Sequence, residues 1–142
     1  MTNPISAPDF TARWGPNINK KSANFVTLAI FAPVLILAGV AGFLVAAQHS
    51  LTSGAAPYNV FHIFFGVIGL IVLRTRKDSL VSFFNFGFGL IDLYQALASY
   101  ANLPPKQYFL WTRVDDVLHI LIGLALVFIG GYGILKRERR NG

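Results

Sequence analysis

Four long apolar stretches, separated by short polar ones, dominate the pattern of this chain. They cover residues 25–47, 58–73, 79–101 and 114–135. A hydrocarbon core about 30 Å thick is crossed by about 20 helical residues, with about 17 as the lower limit. Three stretches meet that length and the second falls just short of it. The pattern predicts an all-α, integral membrane four-helix bundle.

The polar segments at the two ends are predicted to be tails. Residues 1–24 are polar and contain three prolines, and residues 136–142 are mostly basic. The first apolar stretch is longer than the apolar region of a signal peptide, which favours an uncleaved first span. We expect a transmembrane domain at 25–135 between two short tails.

Positive charges indicate how the spans are oriented. Four spans put both tails on one side, and ten of the twelve Lys and Arg residues lie on that side. Only Lys106 and Arg113 lie on the other. Since cytoplasmic loops of membrane proteins are enriched in Lys and Arg, both termini are predicted to be cytoplasmic. The expected location is a bacterial inner membrane or a thylakoid-type membrane.

Composition narrows the class of protein further. Hydrophobic residues make up 54% of the chain and charged residues 13%, against about 25% charged in soluble domains. The net charge of +6 is confined to short clusters, which argues against a nucleic-acid-binding face. The sequence contains no cysteine, no nucleophile elbow, no phosphate-binding loop and no zinc-protease signature. Neither an enzymatic activity nor a soluble substrate is therefore expected.

One motif occurs twice, near the outer ends of the second and fourth stretches. Residues 59–66 and 116–123 both read Asn or Asp, two apolar residues, His, three apolar residues and Gly. Corresponding positions are 57 residues apart, so His62 matches His119 and Gly66 matches Gly123. This spacing predicts two tandem helical hairpins with both histidines at a similar depth.

A single acidic residue lies deep in the third stretch. Asp92 is 13 residues from Ser79, or about 20 Å from the inner boundary at about 1.5 Å per residue. That depth places it in the layer of the two histidines. Because an unpaired carboxylate in hydrocarbon costs several kcal/mol, Asp92 is expected to face inward with His62 or His119 as its partner.

Two interpretations of the histidine motif remain open. In the first, Asn59 and Asp116 are helix N-caps and the histidines are structural. In the second, His62 and His119 are axial ligands of a tetrapyrrole, and the glycine four residues later leaves room for the macrocycle. A helix N-terminus keeps imidazole neutral and able to bind a metal. Chlorophyll or bacteriochlorophyll needs one histidine per magnesium, whereas haem b would use both.

A third interpretation is a proton or solute pathway through Asp92, the two histidines and Asp115 or Asp116, since ionisable residues inside membranes often mark such routes. Towards the inner side, only Asn85 and Ser82 continue the polar line of the third span.

The paired motifs resemble those of a widespread bacterial family of small four-helix integral membrane proteins. Members carry Asn-x-x-His-x-x-x-Gly on the second span and Asp-x-x-His-x-x-x-Gly on the fourth, matching residues 25–135 of this chain. The resemblance implies the same topology and no catalytic residues, and the family contributes no established biochemical role.

These observations favour a non-enzymatic accessory subunit of a larger membrane complex, in contact with the bilayer and with other membrane subunits. Its candidate cofactor-binding residues are His62, His119, Gly66, Gly123 and Asp92. The cofactor would be a chlorophyll-type pigment or, as an alternative, haem b, and a subunit without a cofactor is also compatible with the pattern. A small transporter that uses Asp92 is the remaining alternative.

Overall fold

A computed structural model describes residues 21–45 and 49–141 of the chain, and this part is all-helical. Its helices are α1 (Ala23–Leu44), α2 (Ala56–Arg74), α3 (Asp78–Ala101), α4 (Lys106–Phe109) and α5 (Arg113–Asn141). All except the single turn α4 are long and apolar enough to cross a membrane. The prediction of an all-α protein with four candidate spans is therefore confirmed.

The last helix differs most from the predicted bounds. α5 does not stop at residue 135 but continues through the basic segment to Asn141. Lys, Arg and Glu are good helix formers, and no glycine or proline interrupts residues 134–141. Most of the predicted N-terminal tail, residues 1–20, lies outside the described residues.

We call the end of the bundle where α1 and α3 begin the inner end, after the orientation that the charges predict, and the opposite end the outer end. Ser22 is the N-cap of α1, and its hydroxyl oxygen accepts a hydrogen bond from the Phe25 N–H at 3.2 Å. The same hydroxyl donates to the Asp78 carboxylate at 2.9 Å, at the first residue of α3. This contact joins two helix N-termini, where a carboxylate is favoured by the helix dipoles.

Close packing joins α1 to α2 and α3 to α5, and α3 contacts every other helix. Buried apolar residues form three small clusters along the bundle. In order from the inner end these are Leu28, Ala32 and Val81; Leu35, Phe88 and Leu126; and Tyr58, Ala98 and Trp111. The outward faces carry large apolar side chains such as Phe64 and Phe128, as expected of helices that meet lipid or other helices.

Candidate functional site

Buried and half-buried polar side chains gather at the outer end of the bundle, where α3 ends and α5 begins. We call this group the outer cluster. It consists of Ser53, Tyr58, His62, Trp111, Thr112, Asp115, Asp116 and His119. α2 and α5 supply most of its members, and the loops before them supply Ser53, Trp111 and Thr112.

Asp115 is the hub of the outer cluster and is only 1% exposed. Its Oδ2 accepts hydrogen bonds from the backbone N–H groups of Ser53 and Thr112, both at 2.8 Å, and from the Thr112 hydroxyl at 2.9 Å. The Tyr58 hydroxyl donates to Oδ1 at 3.3 Å. Four donors thus satisfy a buried carboxylate without help from Lys or Arg. Asp115 thereby holds the loop before α2 against the start of α5.

Thr112 and Asp115 cap the start of α5 by hydrogen bonds in both directions. While Asp115 accepts from the Thr112 N–H, its own N–H donates to the Thr112 hydroxyl oxygen at 3.3 Å. This is the geometry of a capping box, with Thr112 at the N-cap and Asp115 three residues later. The N-cap interpretation of Asp116 is therefore wrong, because Asp116 lies one residue further into the helix.

The cap predicted at Asn59 is also wrong. α2 begins at Ala56, Ala55 occupies the N-cap without a side-chain hydrogen bond, and Pro57 lies in the first turn. Asn59 is inside the helix, 1% exposed, and its side-chain N–H donates to the Gly54 carbonyl at 3.4 Å. The sequence pattern located the helix start a few residues too late, because Ala and Pro give a weaker start signal than Asn.

The two histidines of the motif have different surroundings. His119 is 4% exposed, its Nε2 lies 2.7 Å from the Tyr58 hydroxyl, and the Trp111 ring meets it edge-on. His62 is half-buried, and its ring centroid lies 4.2 Å from that of Tyr58. None of the hydrogen bonds among the described residues involves the His62 ring. Tyr58 therefore contacts both histidines, an arrangement that the motif itself did not predict.

The space beside each motif glycine is occupied by a neighbouring helix. A Cβ added to Gly66 would lie 2.8 Å from the Ala32 carbonyl oxygen of α1, and one added to Gly123 would lie 2.9 Å from the Gly89 carbonyl oxygen of α3. The expectation that Gly66 and Gly123 leave room for a macrocycle does not fit this geometry. Both residues instead allow backbones to approach closely.

Asp92 lies in the interior and is 4% exposed, as its depth predicted. Its hydrogen-bond partner is different from the one expected. The side-chain amide of Gln95, one turn later on the same helix, donates to Asp92 Oδ1 at 3.3 Å, and neither histidine does so. The three-residue spacing on α3 was the signal that could have identified Gln95.

Buried polar residues continue along the same face of α3. In order they are Ser82, Asn85, Asp92, Gln95 and Ser99. Near the inner end, Asn85 Nδ2 donates to the Asn24 side-chain oxygen at 2.9 Å, and Asn24 Nδ2 donates to the Ile129 carbonyl at 2.8 Å. The line is interrupted at Gly89, where a Cβ would lie 2.8 Å from the Gly123 carbonyl oxygen.

A cavity lies at each end of this polar line. The inner cavity, about 570 Å³, is lined by residues that include Ser22, Asn24, Ser82, Lys136 and Arg137. The outer cavity, about 560 Å³, is lined by Ser99, Tyr100, Lys106, Trp111, Arg113, Asp116 and Val117. Within the described residues, no three His, Asp or Glu side chains converge to form a metal site. A tetrapyrrole held by one axial ligand would not require such a group.

No family model, curated protein or solved structure matches the chain. The chemistry of the outer cluster, of the α3 polar line and of the exposed apolar faces is the basis for assigning a function.

Proposed function

We propose that the protein is a non-enzymatic accessory subunit of a larger membrane complex. Its spans would be arranged as two tandem hairpins, with both termini in the cytoplasm. The asymmetric distribution of Lys and Arg and the 57-residue spacing of the motifs support this topology. The outer cluster supports a structural role, because Asp115 is fully occupied in holding a loop and Tyr58 is hydrogen-bonded to His119.

The observation that carries the proposal is the apolar surface left uncovered by the chain's own packing. In α1, α2 and α5 only 22% of the residues in the most apolar window are buried, against 44% in α3. Phe64 is 58% exposed and Phe128 is 74% exposed. Rigid aromatic rings form large van der Waals contacts, which are the main source of affinity between helices in lipid.

In-membrane photo-crosslinking tests this proposal. A photoreactive amino acid at Phe128 is expected to form adducts with another membrane protein, because Phe128 faces away from the bundle. The same amino acid at Leu126, which is 2% exposed, is the matched control and should give only intrachain products. Adducts with lipid alone, together with a detergent particle that contains one copy of the chain, would overturn the proposal.

If the subunit binds a chlorophyll-type pigment, His62 is the better ligand of the two histidines. Its ring is half-buried and free of hydrogen bonds among the described residues, whereas His119 Nε2 would have to release the Tyr58 hydroxyl. Haem b coordinated by both histidines fits less well, since the Tyr58 ring contacts both imidazoles. Gly66, Gly123 and Asp92 would then act by fixing helix positions.

An absorption spectrum of the protein in mild detergent distinguishes these possibilities. A bound pigment should give Soret and Q bands that are lost in His62→Ala and retained in His119→Ala. Loss of the bands in both variants, with both still folded, would favour haem b. A colourless preparation with full helicity would remove the cofactor from the proposal.

The α3 polar line favours a second candidate function, which is proton or solute movement through Asp92. Buried Asn85 and Ser82 continue the line to the inner cavity, and Ser99 reaches the outer cavity. The close contact of Gly89 with Gly123 separates the two halves, so transport would require these helices to move apart.

Proton flux into liposomes tests the second candidate. Flux through the wild-type protein should be abolished in Asp92→Asn and unchanged in Asp78→Asn, which makes the same charge change at an exposed position. Equal flux in protein-free liposomes, or full flux in Asp92→Asn, would exclude the route through Asp92.

A further inference from the structure

The outer cavity is lined by side chains of both charges. It lies between the end of α3, the turn α4 and the start of α5, and Lys106, Arg113 and Asp116 line it. Lys106 Nζ donates to the Ser99 carbonyl at 2.5 Å, which fixes the ammonium group at the wall of the cavity. The lining thus offers two cations and one carboxylate within about 560 Å³.

Two of the lining side chains are buried and lack a hydrogen-bond partner. Trp111 is 9% exposed and its Nε1–H is unpaired, and Asp116 is 6% exposed and its Oδ1 is unpaired. One is a donor and the other an acceptor. Buried polar atoms are nearly always hydrogen-bonded in native proteins, and a ligand in the cavity that both side chains line is a candidate partner for both atoms.

These groups define the chemistry of the missing partner. Lys106, Arg113 and the Trp111 N–H suit a phosphate, because charge-assisted hydrogen bonds to phosphate are among the strongest in proteins. A buried carboxylate beside a phosphate would be repelled unless the ligand also brought a cation. Asp116 therefore favours a ligand that also carries an ammonium group with N–H donors.

The position of the cavity indicates where this ligand comes from. The cavity lies at the ends of two helices that are long and apolar enough to cross a membrane, and exposed Tyr100 and Val117 form part of its rim. Tyrosine is enriched at the level of lipid headgroups because its ring is apolar and its hydroxyl is polar. An opening of this kind is accessible to a lipid headgroup from the side.

We propose that the outer cavity binds the headgroup of an ethanolamine phospholipid. The phosphate would contact Lys106, Arg113 and the Trp111 N–H, and the primary ammonium would donate to Asp116. This inference uses neither His62 nor Asp92 and does not depend on the proposed function. It would hold equally for an accessory subunit and for a transporter.

Binding of short-chain lipids to the full-length protein in detergent tests the proposal. In a Trp14→Phe background, Trp111 becomes the only tryptophan and reports on the cavity by its fluorescence. Dihexanoyl phosphatidylethanolamine should bind at least about tenfold more tightly than dihexanoyl phosphatidylcholine, since a charge-assisted hydrogen bond is worth roughly that factor. The choline headgroup has the same phosphate but no N–H donor.

Variants of the residues proposed to contact the ammonium and the phosphate separate the contributions of these two groups to lipid affinity. Asp116→Asn should remove the preference for ethanolamine over choline, and Lys106→Gln should weaken both lipids by a similar factor. Lys136→Gln, at the inner end, is the matched control for loss of a lysine and should change neither affinity. Circular dichroism verifies that each variant is folded, and Lys106→Gln alone still tests the site if Asp116→Asn does not fold.

Free phosphoethanolamine distinguishes the two sources of the same chemistry. Displacement of the lipid by millimolar phosphoethanolamine would support a site for the zwitterion itself. Failure to displace it, with the ethanolamine preference intact, would support a membrane lipid as the source. Equal affinity for the two lipids in the wild-type protein, or an unchanged preference in Asp116→Asn, would overturn the proposal.

Discussion

The two copies of the histidine motif share one sequence pattern but have different environments. On α5, His119 is buried, hydrogen-bonded to Tyr58 and flanked by Trp111. On α2, His62 is half-buried, and its ring contacts those of Tyr58 and Phe61 at tilted angles without a hydrogen bond. Equal spacing therefore produced one fixed imidazole and one that is available for another contact. A repeated motif indicates equivalent positions along helices, and it does not determine equivalent chemistry.

The difference originates in the residue four positions before each histidine. That residue is Tyr58 on α2 and Asp115 on α5, which are also 57 residues apart. The Tyr58 hydroxyl of α2 donates to Asp115 and is also hydrogen-bonded to His119 Nε2, so one side chain of α2 contacts two residues of α5. The loop before α5 adds Trp111 and Thr112, and the loop before α2 has no aromatic equivalent.

The largest effect is expected for the hub of the outer cluster. Asp115→Ala would leave several buried donors unpaired and should lower the free energy of unfolding by about 3 kcal/mol or more. Asp116→Ala is the adjacent control and should cost less than about 1 kcal/mol, because no hydrogen bond within the chain is lost. Unfolding by SDS in mixed micelles measures both. Equal costs would contradict the assignment of Asp115 as the hub.

The second-largest loss of stability is expected for substitutions of the motif glycines. Gly123→Ala and Gly66→Ala should each cost about 1–3 kcal/mol of unfolding free energy, because the added methyl would overlap backbone atoms of a facing helix. Gly87→Ala is the control, since a Cβ there meets nothing within 4 Å. It should be neutral or stabilise by up to about 1 kcal/mol through helix propensity. A neutral Gly123→Ala would mean that α3 and α5 can separate at little cost, as the transport candidate requires.

A smaller effect is expected from the helix starts, which differ between the two copies. Thr112→Ala removes the side-chain cap of α5 and should cost about 1 kcal/mol of unfolding free energy. Ala55→Gly at the N-cap of α2 should change stability by only a few tenths of a kcal/mol, roughly, because no side-chain cap exists there. Thermal unfolding in detergent, followed by circular dichroism, compares the two variants. A larger loss of stability in Ala55→Gly than in Thr112→Ala would contradict this difference between the two helix starts.

The smallest effect is expected at the free histidine. His62→Phe should change the free energy of unfolding by less than about 0.5 kcal/mol, because the His62 ring contacts Tyr58 without a hydrogen bond. His119→Phe should cost at least about 1 kcal/mol, since the hydrogen bond between the Tyr58 hydroxyl and His119 Nε2 is lost. The same SDS titration measures both. A large loss for His62→Phe would show that both imidazoles are structural.

The sequence was sufficient for the features that depend on local composition. Long apolar stretches identified the four candidate spans, and the depth of Asp92 along the third stretch predicted its burial. Site details that depend on rotation about helix axes were not accessible in this way. Gln95, rather than a histidine, is the partner of Asp92, and Asn24 of α1 is the partner of Asn85.

What the sequence determined by itself is the number of apolar segments, their lengths and the distribution of charge between their ends. These properties follow from hydrocarbon thickness and from the cost of placing charges in it. Only the tertiary structure decided that Tyr58 contacts both histidines, that Thr112 and Asp115 rather than Asp116 form the cap of α5, and that Trp111 and Asp116 line one cavity. Such contacts depend on how neighbouring helices are rotated and where their loops fold back. A hydrogen bond forms only when donor and acceptor lie within about 3 Å of each other, and the spacing of residues along the sequence does not specify positions that finely.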